Sequence, residues 1–368
     1  MKNTAKKILF IMQFPPPIHG VSVMNDIIRN STLINSKFQC DYINLATAKN
    51  INDLQKNSFF KYVLTLKIIS KSFYKMLTNR YEYVYITIFP FGFSFIKDSI
   101  IVLIVRFLGQ KPLLHLHTYG FRENSIYSKF KKKYYSFVFK NVNVICLSPL
   151  LIEDISHIYK GKVFILPNGI PQVNFKNTYN NEQNPITLLY LSNLIKGKGI
   201  LLIIDAIDRL NKKGINFFFR IVGSEGDIKY SQLTELIKLK GLENKVIILG
   251  PKFGNDKYDE FKNAGIFLLP SNYDTFGLVL LEAMQYGVPC ISSNIGGIPD
   301  LIGDGRGVLM ENISVDELEL CLNKLLTDKL LRQNISHKSF DYYISNFTVN
   351  IFESRLYNIL SGNPDLIV

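Results

Sequence analysis

The run PSNYDTFGLVLLE holds two acids, Asp274 and Glu282, with seven residues between them. Its apolar lead-in predicts a strand ending at Pro270. Asp274 then falls in a loop and Glu282 inside the amphipathic helix that follows. A helix starting near Phe276-Gly277 exposes the N–H groups of Phe276, Gly277 and Leu278, which can donate to sugar hydroxyls or to phosphate. Gly277 lets a ligand come close to the main chain. Two carboxylates so placed can bind hydroxyls at opposite ends of an extended ligand.

Three further segments carry chemistry of the same kind. YLSNLIKGKG, residues Tyr190 to Gly199, is a strand end, a loop and a helix start with Lys198 at the turn. FPPPIHGVS, residues Phe14 to Ser22, leads to Gly20 at a helix start, where main-chain N–H groups suit an anion. His117 is read as the end of a strand, Leu113 to His117, with His115 deeper on the same face.

These residues need a scaffold, and short apolar runs alternating with longer amphipathic stretches predict parallel strands joined by helices. The strands read from the first half are Lys7 to Met12, Tyr83 to Ile88, Leu113 to His117 and Asn143 to Leu147. Those of the second half are Thr187 to Leu191, Phe217 to Val222, Val246 to Leu249, Ile266 to Leu269 and Pro289 to Ser292. The Asn-rich stretch Asn168 to Pro185 reads as a linker, and Phe340 to Leu360 as one or two closing helices lying across the domain junction. Ligands of such sheets bind beyond the carboxyl ends of the strands, so an interdomain cleft is expected.

A chain of 368 residues with 47% hydrophobic content can bury two cores. Cys40, Cys146, Cys290 and Cys321 form no CxxC pair, which argues against a zinc site or a disulfide framework and for a reducing compartment. The basic start, Met1 to Lys7, precedes an apolar stretch too short for a signal sequence. Ser99 to Val105 falls well short of the roughly 20 apolar residues that span a bilayer. The net charge of +13 is unevenly placed: residues 1–170 hold 23 Lys and Arg against 8 Asp and Glu, the remainder 20 against 22. The basic half is the one expected to meet an anionic surface.

The acid pair, with Phe276-Gly277 between and Ala283-Met284 after it, resembles the retaining glycosyltransferase family 4. The resemblance implies an α/β GT-B fold, two Rossmann-like domains with parallel sheets facing an interdomain cleft. It implies an acceptor-binding domain over 1–168, with a C-terminal helix over 350–368 packing back on it, and a nucleotide-sugar donor domain over 169–349. Glu282 is then expected on the donor ribose, Asp274 facing the donor sugar, and Lys198 on the diphosphate. Asn193 stands where the family usually has Arg, and Asp274 where it usually has Glu. Gly20 is placed beside the phosphates, and His117 points toward the reacting sugar. Gly223 and Pro251 follow strands that face the donor, and Pro251 belongs to a turn able to touch the base. Leu166 to Ile170 resembles the family's domain-crossing turn, and Gly296 to Asp300 its loop after the sugar-binding helix.

The reaction so implied is transfer of a hexosyl unit from a UDP- or GDP-linked sugar to a lipid-linked or glycan acceptor, with retention, in surface polysaccharide synthesis. No carboxylate nucleophile is evident, so a front-face route is expected. With no Asp-x-Asp in the sequence, Lys198, Asn193 and main-chain donors near Gly20 are expected to stabilise the leaving diphosphate without a metal. No cofactor is expected, since the nucleotide sugar is a substrate. Lys67, Lys71 and Lys75 recur on one helix face, where they repel unless anions are near. Lys129, Lys131, Lys132 and Lys133, interleaved with Tyr127, Phe130, Tyr134 and Tyr135, form a second basic patch. Both patches suit an anionic membrane, and imply a cytoplasmic protein peripheral at the inner face. A nucleotide-sugar epimerase is one alternative. A basic nucleic-acid binder is another, but no zinc-finger or RNP pattern supports it, and no nucleic-acid partner is expected. The lack of GxGxxG after any strand disfavours a dinucleotide dehydrogenase.

Overall fold

The computed structural model describes residues 6–46, 59–173 and 184–363. The chain forms two compact units, Met1–Gly169 with Val349–Val368, and Ile170–Thr348. The first contains β1 (Lys7–Met12), β2 (Gln39–Asn44), β3 (Tyr83–Ile88), β4 (Pro112–Leu116), β5 (Asn143–Cys146) and β6 (Val163–Ile165). They pair in the order β2-β1-β3-β4-β5-β6, all parallel. The second contains β7 (Ile186–Leu191), β8 (Phe217–Val222), β9 (Val246–Ile248), β10 (Ile266–Leu269), β11 (Cys290–Ser293) and β12 (Val308–Met310). Their order is β12-β11-β10-β7-β8-β9, again all parallel.

The central strands are mostly apolar and buried, as suits a parallel sheet with helices on both faces. In chain order the helices are α1 (Gly20–Asn30), α2 (Thr32–Lys37), α3 (Phe59–Thr78), α4 (Gly92–Phe107), α5 (Phe121–Ser125), α6 (Lys129–Val138) and α7 (Ile200–Lys212). They continue with α8 (Tyr230–Leu239), α9 (Gly254–Lys262), α10 (Leu278–Gln285), α11 (Ile298–Ile302), α12 (Val315–Thr327), α13 (Lys329–Asn346) and α14 (Val349–Ser361). In the second unit α7 lays Ile200, Ile203, Ile204, Ile207 and Leu210, one helical stripe, onto the buried core.

The nine strands expected from the sequence are present, with ends that shift by up to one residue. Three more were not read from it: β2, β6 and β12. Each is an edge strand. Two have only three residues, and β2 is half exposed, so an apolar run is missing. One shift touches the site: β4 ends at Leu116, so His117 lies just past the strand.

The expected closing segment is two helices that part at Phe347-Thr348, α13 in the second unit and α14 in the first. α14 is held to the first unit by Tyr357, whose ring lies 5.8 Å from that of Phe38, and by Lys6 Nζ, which donates to the Ser361 carbonyl at 3.0 Å. Of the expected linker, Ile170 N–H donates to the Phe347 carbonyl at 2.9 Å and Val173 N–H to Gln285 Oε1 at 2.6 Å. Residues 174–183 of that linker, 364–368 of the expected C-terminal helix and most of the basic start, 1–5, lie outside the described residues.

Candidate functional site

In each sheet the winding direction reverses once, and the carboxyl ends of the strands at such a reversal are where α/β sheets commonly bind ligands. In the second unit the reversal lies between β7 and β10, which are hydrogen-bonded neighbours. The loops leaving those two strands carry Lys198 and Asp274. Topology therefore joins two residues far apart in sequence.

Local contacts then fix both loops. Lys198 closes a 3-10 turn that ends at Gly199, whose φ of +82° is left-handed and whose position admits no side chain: a Cβ there would lie 2.2 Å from the Pro270 carbonyl oxygen. Asn272 N–H donates to the Gly197 carbonyl at 2.8 Å, tying the second loop to the first. The Lys198 ammonium lies 2.7 Å from Asp274 Oδ2 and 3.3 Å from the Tyr273 carbonyl. The other Asp274 oxygen accepts Gly277 N–H at 2.9 Å.

That geometry corrects one expectation. The helix begins at Leu278, with Gly277 as a left-handed cap, and the Gly277 N–H is spent on Asp274. Main-chain donors at this turn are accordingly fewer than expected. Asp274 also has two partners inside the protein, because a carboxylate with four lone-pair sites next to a lysine and a helix start satisfies both.

Glu282, on α10, pairs with Lys257 of α9 at 2.6 Å, each side chain about one-fifth exposed. Nothing in the local sequence pointed to Lys257. Asn193 is exposed after β7, and its carbonyl accepts the Tyr190 hydroxyl at 3.1 Å. Gly223 donates its N–H to the Gly250 carbonyl at 2.9 Å, and a Cβ on it would lie 1.9 Å from the Ser192 carbonyl oxygen. Pro251 is exposed next to Lys252, which together with a bidentate Arg220 binds Glu260. Burial pushes the Glu260 carboxyl up, but these two cations outweigh it and hold it below its ordinary value. Among the described residues no cluster of three or more His, Cys, Asp or Glu is placed to hold a metal ion.

In the first unit the sheet reverses between β1 and β3. Gly20 opens α1 beyond β1, but the residue that caps the helix is His19, which sequence reasoning passed over. Its Nδ1 accepts Ser22 N–H at 3.4 Å while Ser22 Oγ accepts His19 N–H at 3.0 Å. The S/T-x-x-E/Q form of a capping box does not cover His and Ser, so the signal was absent. His117 is buried, and its ring centroid lies 3.9 Å from that of His115. Burial pushes the His117 pKa down to about 3, with nearby His19 adding to the fall. The loop after it is held by Asp154, whose carboxylate accepts the N–H groups of Gly120, Phe121 and Arg122 at 2.9, 3.0 and 2.9 Å.

The basic patches are also altered. Lys67 and Lys71 are exposed, but Lys75 pairs with Asp41 at 2.6 Å and leaves the set of like charges. Lys131, Lys132 and Lys133 are exposed on α6 near Tyr127 and Phe130, which are 96% and 81% exposed. Tyr134 and Tyr135 turn inward instead, bonding the Ser99 hydroxyl and the Pro90 carbonyl at 2.7 and 2.8 Å. Among the described residues no helix is long and apolar enough to cross a membrane.

Known proteins agree with this architecture. Residues 172–341 match the family described as Glycosyl transferases group 1. The chain is 24% identical over 282 residues to the capsular polysaccharide biosynthesis glycosyltransferase CapM of Staphylococcus aureus, covering 71% of this chain and 73% of that one. It is 26% identical over 243 residues to an uncharacterized glycosyltransferase of Methanocaldococcus jannaschii, covering 60% of this chain and 62% of the relative, so under two thirds of that relative is spanned. Among solved structures, the lipopolysaccharide outer core galactosyltransferase WaaB superposes with a TM-score of 0.74 at 18% identity, over 97% of this chain and 99% of that one. HepE of Anabaena in complex with UDP gives 0.72 at 18% identity, over 97% and 100%. Residues 172–341 thus match the group 1 glycosyltransferase family, and the fold of the chain is of the GT-B type.

Proposed function

We propose that the protein transfers a hexosyl unit from a nucleotide-diphosphate sugar, UDP- or GDP-linked, to a lipid-linked or glycan acceptor, with retention of configuration. The observation that carries this reading is the Lys198–Asp274–Gly277 constellation at the sheet reversal of the second unit. In it a cation and a helix start meet at the edge where an α/β sheet binds phosphates. HepE, which shares the fold, binds UDP.

In this reading Lys198 neutralises charge as the bond from the anomeric carbon to the diphosphate breaks, and Asp274 holds the ammonium in place and faces the sugar. Glu282 takes the ribose hydroxyls in exchange for Lys257. Gly223 and Pro251 border the base, while Asn193 and the turn at Gly20 add donors to the phosphates. His117, kept neutral by burial, serves the sugar hydroxyls. The acceptor oxygen attacks on the face the diphosphate leaves, and its proton passes to the departing phosphate oxygen. That route asks no carboxylate to act as nucleophile, and Lys198 takes the electrostatic part that a metal plays elsewhere.

Lys67, Lys71, Lys131, Lys132 and Lys133, with exposed Tyr127 and Phe130, suit a peripheral stay on an anionic membrane that brings a lipid-linked acceptor within reach. A panel of nucleotide sugars offered to the wild type and to Lys198→Ala, with product anomers read by NMR, tests the reading. Equal turnover in both proteins removes it. A chelator that abolishes turnover, restored by a divalent ion, removes its metal-independent form.

A further inference from the structure

The first unit's sheet carries polar groups where an apolar core is the rule. Tyr85 and Thr87 on β3 and His115 on β4 share one face, since Thr87 is the register partner of His115 and Tyr85 precedes it by two. All three are buried. The Tyr85 hydroxyl bonds His115 Nδ1, and the His115 ring packs against that of His117 at 3.9 Å between centroids, tilted by 39°. Three atoms along this stripe, Thr87 Oγ1, His115 Nε2 and His117 Nε2, have no hydrogen-bond partner among the described residues. Buried polar atoms without partners are costly, so a polar stripe that ends at a carboxyl edge calls for a role there.

We propose that Tyr85 and His115 are positioning residues for His117, an inference that rests on the reading of His117 as a sugar-hydroxyl contact. The order of events runs from the inside outward. Tyr85 keeps its proton because burial disfavours the phenolate, so its O–H donates to His115 Nδ1 and fixes the proton of His115 on Nε2. The ring of His115, held in one plane by that bond, is the floor on which the His117 ring rests. His117 lies one residue past β4 and has no strand pairing of its own to orient it. The Asp154 clamp holds the main chain after it, and His115 holds its ring. A neutral imidazole is thereby presented in one orientation with its Nε2 unspent.

The test uses the full-length protein with Tyr85→Phe, which removes one oxygen and conserves volume, His115→Leu, and His117→Ala. With a cognate donor and acceptor, Tyr85→Phe is expected to lower kcat by roughly tenfold or more while donor KM stays within about twofold, as misplacement of an already bound group does. Its thermal midpoint should fall only modestly, by what an unpartnered His115 Nδ1 costs in a buried site. Long-range proton–nitrogen NMR on histidine labelled with nitrogen-15 should show His115 changing its tautomer ratio and the His117 ring nitrogens shifting with it. His115→Leu should reproduce the kcat loss. Unchanged kcat together with unchanged His117 ring shifts in Tyr85→Phe overturns the proposal. A kcat loss that only tracks a falling thermal midpoint, with the His117 shifts in place, overturns it equally. Normal turnover in His117→Ala instead sinks the reading of His117 itself, whatever the NMR of Tyr85→Phe shows, so the two failures are distinguished.

Discussion

Lys198 and Asp274 form an ion pair at 2.7 Å across two loops that leave neighbouring strands, with side chains 26% and 16% exposed. The same carboxylate caps the start of α10 through Gly277 N–H. The position of the cation and the start of the helix are therefore one structural unit. A pair that is partly exposed contributes about 1 kcal/mol or less to stability after solvent screening, so its main consequence is geometric.

Replacing Lys198 by Ala should lower kcat/KM by about a hundredfold or more, the loss typical of removing one group that stabilises developing negative charge. Asp274→Asn keeps the acceptor for Gly277 N–H and should cost less than Asp274→Ala. The double variant Lys198→Ala with Asp274→Asn should fall well short of the product of the single losses, because each single change already disables the pair. Steady-state kinetics on the four proteins reads this, and strict multiplicativity would show that the two act apart.

Gly199 and Gly214 make a controlled comparison. Both have positive φ, +82° and +75°, but a Cβ at Gly199 would meet the Pro270 carbonyl whereas at Gly214 nothing lies within 4 Å. Gly214→Ala should cost about 1–2 kcal/mol from backbone strain alone. Gly199→Ala should cost about 3 kcal/mol or more, because the loop carrying Lys198 must also move off Pro270. Urea denaturation compares them, and equal losses would mean the close approach is not rigid.

Glu282→Ala should weaken the donor by about ten- to a hundredfold in KM with a smaller change in kcat, the worth of a hydrogen bond to a charged group. Lys257→Met should leave donor KM within about threefold, since the ligand replaces Lys257 as the partner of Glu282. A large KM rise in Lys257→Met with none in Glu282→Ala would assign the contact to the lysine.

Stability should fall on the acid side through the buried histidines. The His117 pKa is pushed down to about 3, by burial first and then by His19, and that of His115 well below its ordinary value, by burial and then by His117. Both are depressed in the folded state, so the unfolded chain binds protons that the folded chain refuses. For His117 this stabilising effect is full above the unfolded value of about 6.5 and is lost as pH falls from there toward 3, at up to about 1.4 kcal/mol per pH unit, and His115 acts in the same direction. His117→Asn should flatten the slope measured by urea denaturation between pH 7.5 and 5. An unchanged slope would show that another group governs it.

Changing Lys131, Lys132 and Lys133 to Glu should weaken binding to vesicles rich in anionic lipid by several kcal/mol, at about 1 kcal/mol per lysine removed. Lys75→Glu should do less, because Lys75 already neutralises Asp41. Flotation at low and moderate salt measures both, and partition that ignores lipid charge would dismiss the membrane reading.

The two sheets, their parallel sense and the loops that hold the chemistry are legible along the chain. Short continuous apolar runs and amphipathic helices are local signals, carried within a dozen residues. Hence β7 with Lys198 beyond it, and β10 with Asp274 beyond it, were legible, while the short or half-exposed edge strands β2, β6 and β12 were not. The partners of these groups come from the fold. Lys257 on Glu282, Asp41 on Lys75, Asp154 beneath the loop after His117 and Tyr85 behind His115 each join residues at least 25 apart. Such pairings leave no periodic trace, because one charge or hydroxyl per element suffices to make them and the register and reversal of the strands choose which one it meets. The sequence thus set which chemistry stands at the carboxyl edges, and the order in which the strands pack set what each group is bound to.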